Sequence, residues 1–213
     1  MLSFSVNPEY SRIDEVIPGL FISGVTALNV STLEDHHITY IINATTEVPN
    51  LRSLSHIARH KLWMEDTSDT YIYPLLESQS DQIASLLSEG HSVLVHCVAG
   101  VSRSASLILS FLTKYRCSSL KESYLLLSSK RPLVRPNLGF WRQLITFEEN
   151  TKNVASSVKL IRDDVQEECL LPDVYLPEAI SETSIPSSSM HRSSSGGKSK
   201  FRPVLSSLSE LVA

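Results

Sequence analysis

The chain has 213 residues, 42% of them apolar and 20% charged, which suits one domain with a real core and an appendage. Its formal net charge of −4 gives no case for nucleic acid as a partner, since that needs a basic surface. The most apolar stretch, Ala105 to Leu112, is far too short to span a membrane, and Cys97, Cys117 and Cys169 are too scattered for a zinc or disulfide framework.

In chain order, residues 1–9 are expected to form a short arm. Glu9, Asp14 and Glu15 precede any apolar run, so no secretory leader is expected, and a cytoplasmic chain with access to the nucleus is the expectation. From about 10 to 150, apolar runs alternate with amphipathic stretches, the signature of an α/β domain. Leu20–Ser23, Ile38–Asn43, His60–Met64 and Ser92–Cys97 are expected as short strands, being apolar, rich in Ile and Val and bounded by turn residues. A helix is predicted over Pro74–Glu89, with Leu76, Ile83, Leu86 and Leu87 on one stripe and Gly90 at its end. Ser104–Tyr115 is apolar nearly all round and predicts a buried helix. Ser119 with Glu122 makes a capping box for the next, which ends before Arg131-Pro132. Asn137 is placed to cap a last helix whose Phe140, Trp141, Leu144 and Ile145 face inward. Residues 151–180, broken by Pro172 and Pro177, are expected as an extension on or near the domain. Residues 181–213, about one-third serine, are expected to be a disordered tail, with serines near Arg192 and Lys198 as modification or docking candidates.

The chemistry concentrates in His96-Cys97-Val98-Ala99-Gly100-Val101-Ser102-Arg103-Ser104, between the strand ending Val93-Leu94-Val95 and the buried helix. A strand, a short loop and a helix start make a natural anion site, because loop amides turn inward and the helix N-terminus adds positive partial charge. Gly100 permits the tight turn. Only about 3% of free cysteine is ionised at neutral pH, so a nucleophilic Cys97 needs this loop to favour the thiolate. Arg103 can take two phosphoryl oxygens on its fork, where lysine would offer a point charge. Cys97 would attack phosphorus while Arg103 and the amides of Val98 to Ser102 hold the equatorial oxygens. Ser104 is placed to donate to the departing sulfur. A buried structural cysteine beside a chance arginine is the bland alternative.

This loop resembles the His-Cys-x5-Arg-Ser signature of cysteine-based protein phosphatases, and its wording resembles the dual-specificity branch, in particular the small atypical members. Ile17-Pro18-Gly19-Leu20-Phe21-Ile22-Ser23 is similar to the family's first strand, and Ile41-Ile42-Asn43-Ala44-Thr45 to its second. The run from Arg131 through Asn137-Leu138-Gly139-Phe140-Trp141 to Leu144 is similar to a segment of the small members, as is Pro172-Asp173-Val174-Tyr175 to the extension of a few. The likeness covers about residues 10–180. It implies a compact α/β fold with a central mixed sheet flanked by helices, a shallow pocket admitting phosphoserine, phosphothreonine and phosphotyrosine, and no metal or other cofactor.

It also implies an aspartate general acid some thirty residues before the cysteine. Asp66 lies thirty-one positions before Cys97 and is the choice; Asp69 is the rival, and Glu65 should face the other way if the strand continues. Asp66 as a plain turn cap is the alternative. His96 either orients the loop or is a satisfied core histidine. Asn137 either braces the phosphate loop or only caps its helix. Arg131 and Arg135 are read as solvated rather than as substrate contacts. Phosphorylated proteins are the expected partners, mitogen-activated protein kinases among them. A phosphoprotein-binding scaffold and a phosphatase of non-protein esters stay open, the latter disfavoured by uncharged Val98, Ala99 and Val101.

Overall fold

The computed structural model describes residues 8–162 and 170–176; the tail 181–213, most of the 1–9 arm and Cys169 lie outside the described residues. Five strands, β1 (Ile13–Ile17), β2 (Leu20–Ser23), β3 (Tyr40–Asn43), β4 (Ala58–Lys61) and β5 (Val93–His96), form one mixed sheet in the order β1-β2-β5-β3-β4. Within this sheet only the β1–β2 pair is antiparallel. Side-chain alternation sends Leu20, Ile22, Ile42, Val93 and Val95 to one face and Phe21, Ile41 and Leu94 to the other. The first face carries the larger core, under helices α2 (Tyr73–Ser88), α3 (Arg103–Tyr115), α4 (Leu120–Lys130) and α5 (Leu138–Lys152). The second is covered by α1 (Val30–Asp35), through Leu33, and by the turn at Leu54.

Several expectations shift by local cause. The strand expected at His60–Met64 begins at Ala58 and ends at Lys61. Leu62 N–H still reaches Asn43 O at 2.8 Å, but β3 ends there and the chain beyond has no ladder partner. The resemblance's first strand, Ile17–Ser23, is a hairpin end plus β2, and β1 before it was not expected. In β1 the inward positions are Asp14 and Val16, so a buried carboxylate interrupts the apolar alternation. The short α1 was also missed, although Asn29 caps it by accepting from Thr32 N–H at 2.9 Å. At α4, Ser119 Oγ accepts from Glu122 N–H as expected, while the Glu122 carboxylate reaches Ser118 N–H at 2.7 Å, one residue before the usual capping-box partner.

α3 is buried from Arg103 to Thr113, and its polar members find partners: Ser106 donates to Ser102 O and Ser80 donates to Ser110. Beyond α5, strands β6 (Leu160–Arg162) and β7 (Leu170–Pro172) pair antiparallel, and a 3-10 turn follows at Asp173–Tyr175. Val158 and Val174 join the larger core, and Trp141 Nε1 donates to Tyr175 Oη at 2.6 Å. Buried Glu148 accepts from Leu120 N–H and Ser157 N–H, tying the start of α4 to this extension. Among the described residues no helix is long and apolar enough to cross a membrane.

Candidate active site

The parallel strands end in register: Ser23 and Asn43 both pair with His96, and Lys61 pairs with Asn43. The segments that leave these four ends therefore gather at the carboxyl ends of the strands, where open α/β sheets commonly bind ligands. They supply Gly24-Val25, Glu47, Asp66 and the loop 97–103.

That loop is shaped from outside. The carbonyl of Val98 accepts from Val25 N–H at 2.9 Å, and that of Val101 from Arg135 N–H at 2.9 Å. Those of Ala99 and Gly100 accept from Arg131 Nη2 at 2.9 Å and Nε at 2.8 Å. A trans peptide points its C=O and N–H in opposite directions, so four outward carbonyls turn the amides of Ala99, Gly100, Val101 and Ser102 inward. Gly100 N–H accordingly lies 3.2 Å from Cys97 Sγ, and Ser104 Oγ donates to the same sulfur at 3.3 Å. Gly100 has φ of +70°, and a Cβ there would sit 2.6 Å from the Ser23 carbonyl carbon, so no side chain fits. Cys97 is buried at 2% exposure, while the neighbouring Val98 is exposed at 39%.

Arg103 opens α3 and is 5% exposed. Its Nη1 and Nη2 donate end-on to Glu47 Oε2 at 2.8 Å and Oε1 at 2.7 Å, and Nη1 also donates to Met64 O at 3.1 Å. Two donors stay free of these partners, Nε–H and the second N–H of Nη2, and together they form the side-on fork of the guanidinium. Nε is buried without a hydrogen-bond partner and stands 3.5 Å from Asp66 Oδ2. An anion with two oxygens matches that edge. Burial works against the charge on Arg103, but the bonds to Glu47 and the fields of Cys97 and Asp66 outweigh it and raise its pKa. Arg103 in turn holds the Glu47 carboxyl down to about 2.

Asp66 leaves the sheet in the segment after Met64. Its Oδ1 accepts from Ser102 Oγ at 2.7 Å and from Asn137 Nδ2 at 2.9 Å. Of the two jobs considered for Asn137, the cap is present: its Oδ1 accepts from Phe140 N–H at 2.9 Å. The bond that matters for the site goes to Asp66, and only its backbone N–H, at 3.2 Å from Ser102 Oγ, touches the phosphate loop. Gly139 lets the segment lie against α5, because a Cβ there would meet Ser68 O at 1.9 Å. Gln143 Nε2 donates to Thr70 O, while its Oε1 accepts from Ile72 and Tyr73 N–H. Asp69 is exposed, and Glu65 is exposed in a segment that is no longer strand.

His96 is buried, its Nδ1 3.3 Å from Cys97 O. Burial lowers its pKa to about 4 against the pull of that carbonyl, with Arg103 and Lys61 adding to the fall, so the ring is neutral near pH 7. The reading of Arg131 as solvated is overturned. It is 1% exposed, bonded to the phosphate loop and to Asp14, because the loop carbonyls and a buried carboxylate replace its water. Arg135 is exposed, with its guanidinium 4.4 Å over the Tyr175 ring. Glu47, Gly139 and Gln143 were given no role in the sequence reading. For Glu47 the available signal was its place in Thr46-Glu47-Val48-Pro49, just past a strand end, and for Gly139 and Gln143 the run from Arg131 to Leu144 that holds them. Among the described residues no three His, Cys, Asp or Glu side chains converge as metal ligands would.

A mixed α/β sheet whose central strand runs into a loop of inward amides, with a thiol at one end and a half-free guanidinium at the other, defines a phosphate-ester-handling protein of the cysteine-based type. Residues 20–150 match the family described as Dual specificity phosphatase, catalytic domain. Human Dual specificity protein phosphatase 21 is 36% identical over 169 residues, covering 79% of this chain and 86% of that protein. Mouse Dual specificity protein phosphatase 14 is 36% identical over 168 residues, covering 78% and 82%. The crystal structure of human DUSP28 superposes with a TM-score of 0.61 at 27% identity, covering 65% of this chain and 93% of that one. The chain belongs to the dual specificity phosphatase family, and it is a dual-specificity protein phosphatase.

Proposed function

We propose that the enzyme hydrolyses phosphotyrosine and phosphoserine/phosphothreonine on proteins through a cysteinyl-phosphate intermediate. The observation that carries this reading is the side-on edge of Arg103, buried and without a hydrogen-bond partner at Nε while Glu47 locks the other end. An arginine held in this way is preorganised for two phosphoryl oxygens, and the inward amides supply donors for the third. The Cys97 sulfur attacks phosphorus, and the bond from phosphorus to the side-chain oxygen breaks. Asp66 gives its proton to that leaving oxygen, held at Oδ1 by Ser102 and Asn137. Water then attacks the phosphocysteine, Asp66 takes the water's proton, and the P–S bond breaks to release inorganic phosphate. Ser104 Oγ–H and Gly100 N–H, both on the sulfur, stabilise it as it departs. Within this scheme His96 stays neutral and supports the loop through the Cys97 carbonyl.

Family membership supports phosphoproteins as substrates, and doubly phosphorylated mitogen-activated protein kinases are the first to test. Rapid quench with a ³²P-labelled phosphopeptide should trap labelled enzyme in the wild type and none in Cys97→Ser. Turnover retained in Cys97→Ser would sink the mechanism.

A further inference from the structure

We propose that Arg131, paired with Asp14, is a positioning residue that holds the phosphate loop open to oxyanions. The inference rests on the phosphatase reading above and adds to it a residue that touches no reacting atom.

Arg131 grips the carbonyl ends of two consecutive peptides, Ala99–Gly100 and Gly100–Val101, at 2.9 and 2.8 Å. The opposite ends of those peptides are the N–H groups of Gly100 and Val101, and the first lies on Cys97 Sγ at 3.2 Å. Gripping the carbonyls thus fixes two of the amides that meet the anion. The loop is clamped from both sides: a Cβ on Gly100 would be 2.6 Å from Ser23 backbone and 2.8 Å from Arg131 Nη2. Rotation of either peptide would turn a carbonyl towards the sulfur and the phosphate, where it repels both.

The Nη1 donors of Arg131 hold the guanidinium still. Nη1 donates to Asp14 Oδ2 at 2.6 Å and to Arg12 O at 3.2 Å. Asp14, 7% exposed, sits on β1 and is steadied at Oδ1 by Arg12 at 2.6 Å. A buried ion pair is weak evidence for stability, since a well-packed apolar pair often serves as well. Its placement behind an anion site gives it a different use. A planar fork spans two carbonyls at fixed spacing, whereas a lysine ammonium offers a point charge and no such geometry.

Full-length Arg131→Gln, Arg131→Lys and Asp14→Asn would be assayed with p-nitrophenyl phosphate well below their melting temperatures, normalised to folded protein by circular dichroism. Sodium tungstate affinity would be measured by calorimetry for each substitution on a Cys97→Ser background. Arg131→Gln should lose about 100-fold in kcat/KM, as misplacement near 1 Å does, and tungstate binding should weaken in parallel. Arg131→Lys should fail to restore wild-type values, and Asp14→Asn should lose about tenfold, its amide oxygen still accepting from Nη1. A stabilising role alone would lower the melting temperature and leave both readouts at wild type in folded protein. That result in either Arg131 variant overturns the proposal; if neither folds, the same result in Asp14→Asn does. Turnover surviving Cys97→Ser would instead overturn the phosphatase mechanism, so the two failures are separable.

Discussion

Glu47 and Arg103 meet end-on, Oε1 2.7 Å from Nη2 and Oε2 2.8 Å from Nη1, although fifty-six residues separate them. The aim of Glu47 is itself fixed. Lys61 Nζ donates to Thr46 O at 3.2 Å and Val48 O at 2.8 Å, the carbonyls on either side, and lies 4.2 Å over the Trp63 ring. These contacts hold the Nη1–Nη2 edge of Arg103 on Glu47 and leave its Nε edge without a hydrogen-bond partner.

Glu47→Ala should therefore lower kcat/KM about 100-fold with Arg103 still charged, and Glu47→Gln about tenfold, since one oxygen still accepts. The pair also has an acid signature. Arg103 holds the folded carboxyl near 2, against 4.5 when unfolded, so between those values the unfolded chain binds more protons. The pair's stabilisation is complete above about pH 4.5 and is lost as pH falls towards 2. Thermal melts of wild type and Glu47→Gln should converge across that window; parallel curves would contradict the pairing.

Asp66→Ala should lower kcat by about 10² to 10⁴ with KM little changed, as removal of a general acid does. The loss should be larger for an alkyl phosphate such as phosphoserine than for p-nitrophenyl phosphate, whose leaving group needs no proton. Asp69→Ala should turn over normally. The reverse ranking in steady-state kinetics would move the assignment.

Gly139→Ala tests whether the Asp66 segment is held by α5. The new Cβ would meet Ser68 O at 1.9 Å, so the segment must shift and carry Asp66 away from Ser102 and Asn137. The kcat should fall towards that of Asp66→Ala, while iodoacetamide labelling of Cys97 keeps its wild-type rate. Overpacking should also lower stability by about 1–3 kcal/mol. Unchanged kcat would mean that the segment finds its place without α5.

His96 makes the fold acid-sensitive. The unfolded chain takes a proton there below about pH 6.5, the folded chain only near pH 4, because burial disfavours the charged ring. The unfolded state binds more protons between those values, so stability falls as pH falls from 6.5 to 4, by about 3 kcal/mol in all. His96→Asn should flatten that part of the curve in urea titrations at stepped pH. An equal slope in the mutant would place the acid sensitivity elsewhere.

Read as a string, the chain already carries its reactive loop, because Cys97, Gly100, Arg103 and Ser104 fall within eight residues of one strand–loop–helix unit. Hydrophobic period and local turn chemistry mark such a unit in the sequence, which is why β2, β5 and α2 to α5 were also legible to within a few residues. The supports of the loop were not. Asp14 pairs with Arg131 across 117 residues, Glu47 with Arg103 across 56, and Asn137 with Asp66 across 71. A charged residue in a linear pattern looks the same whether water or a distant opposite charge will satisfy it. Arg131 read as solvated for that reason, and Asp14 hid β1. Which partner arrives depends on strand order and register, and those are set by how the whole sheet packs beneath α2 to α5.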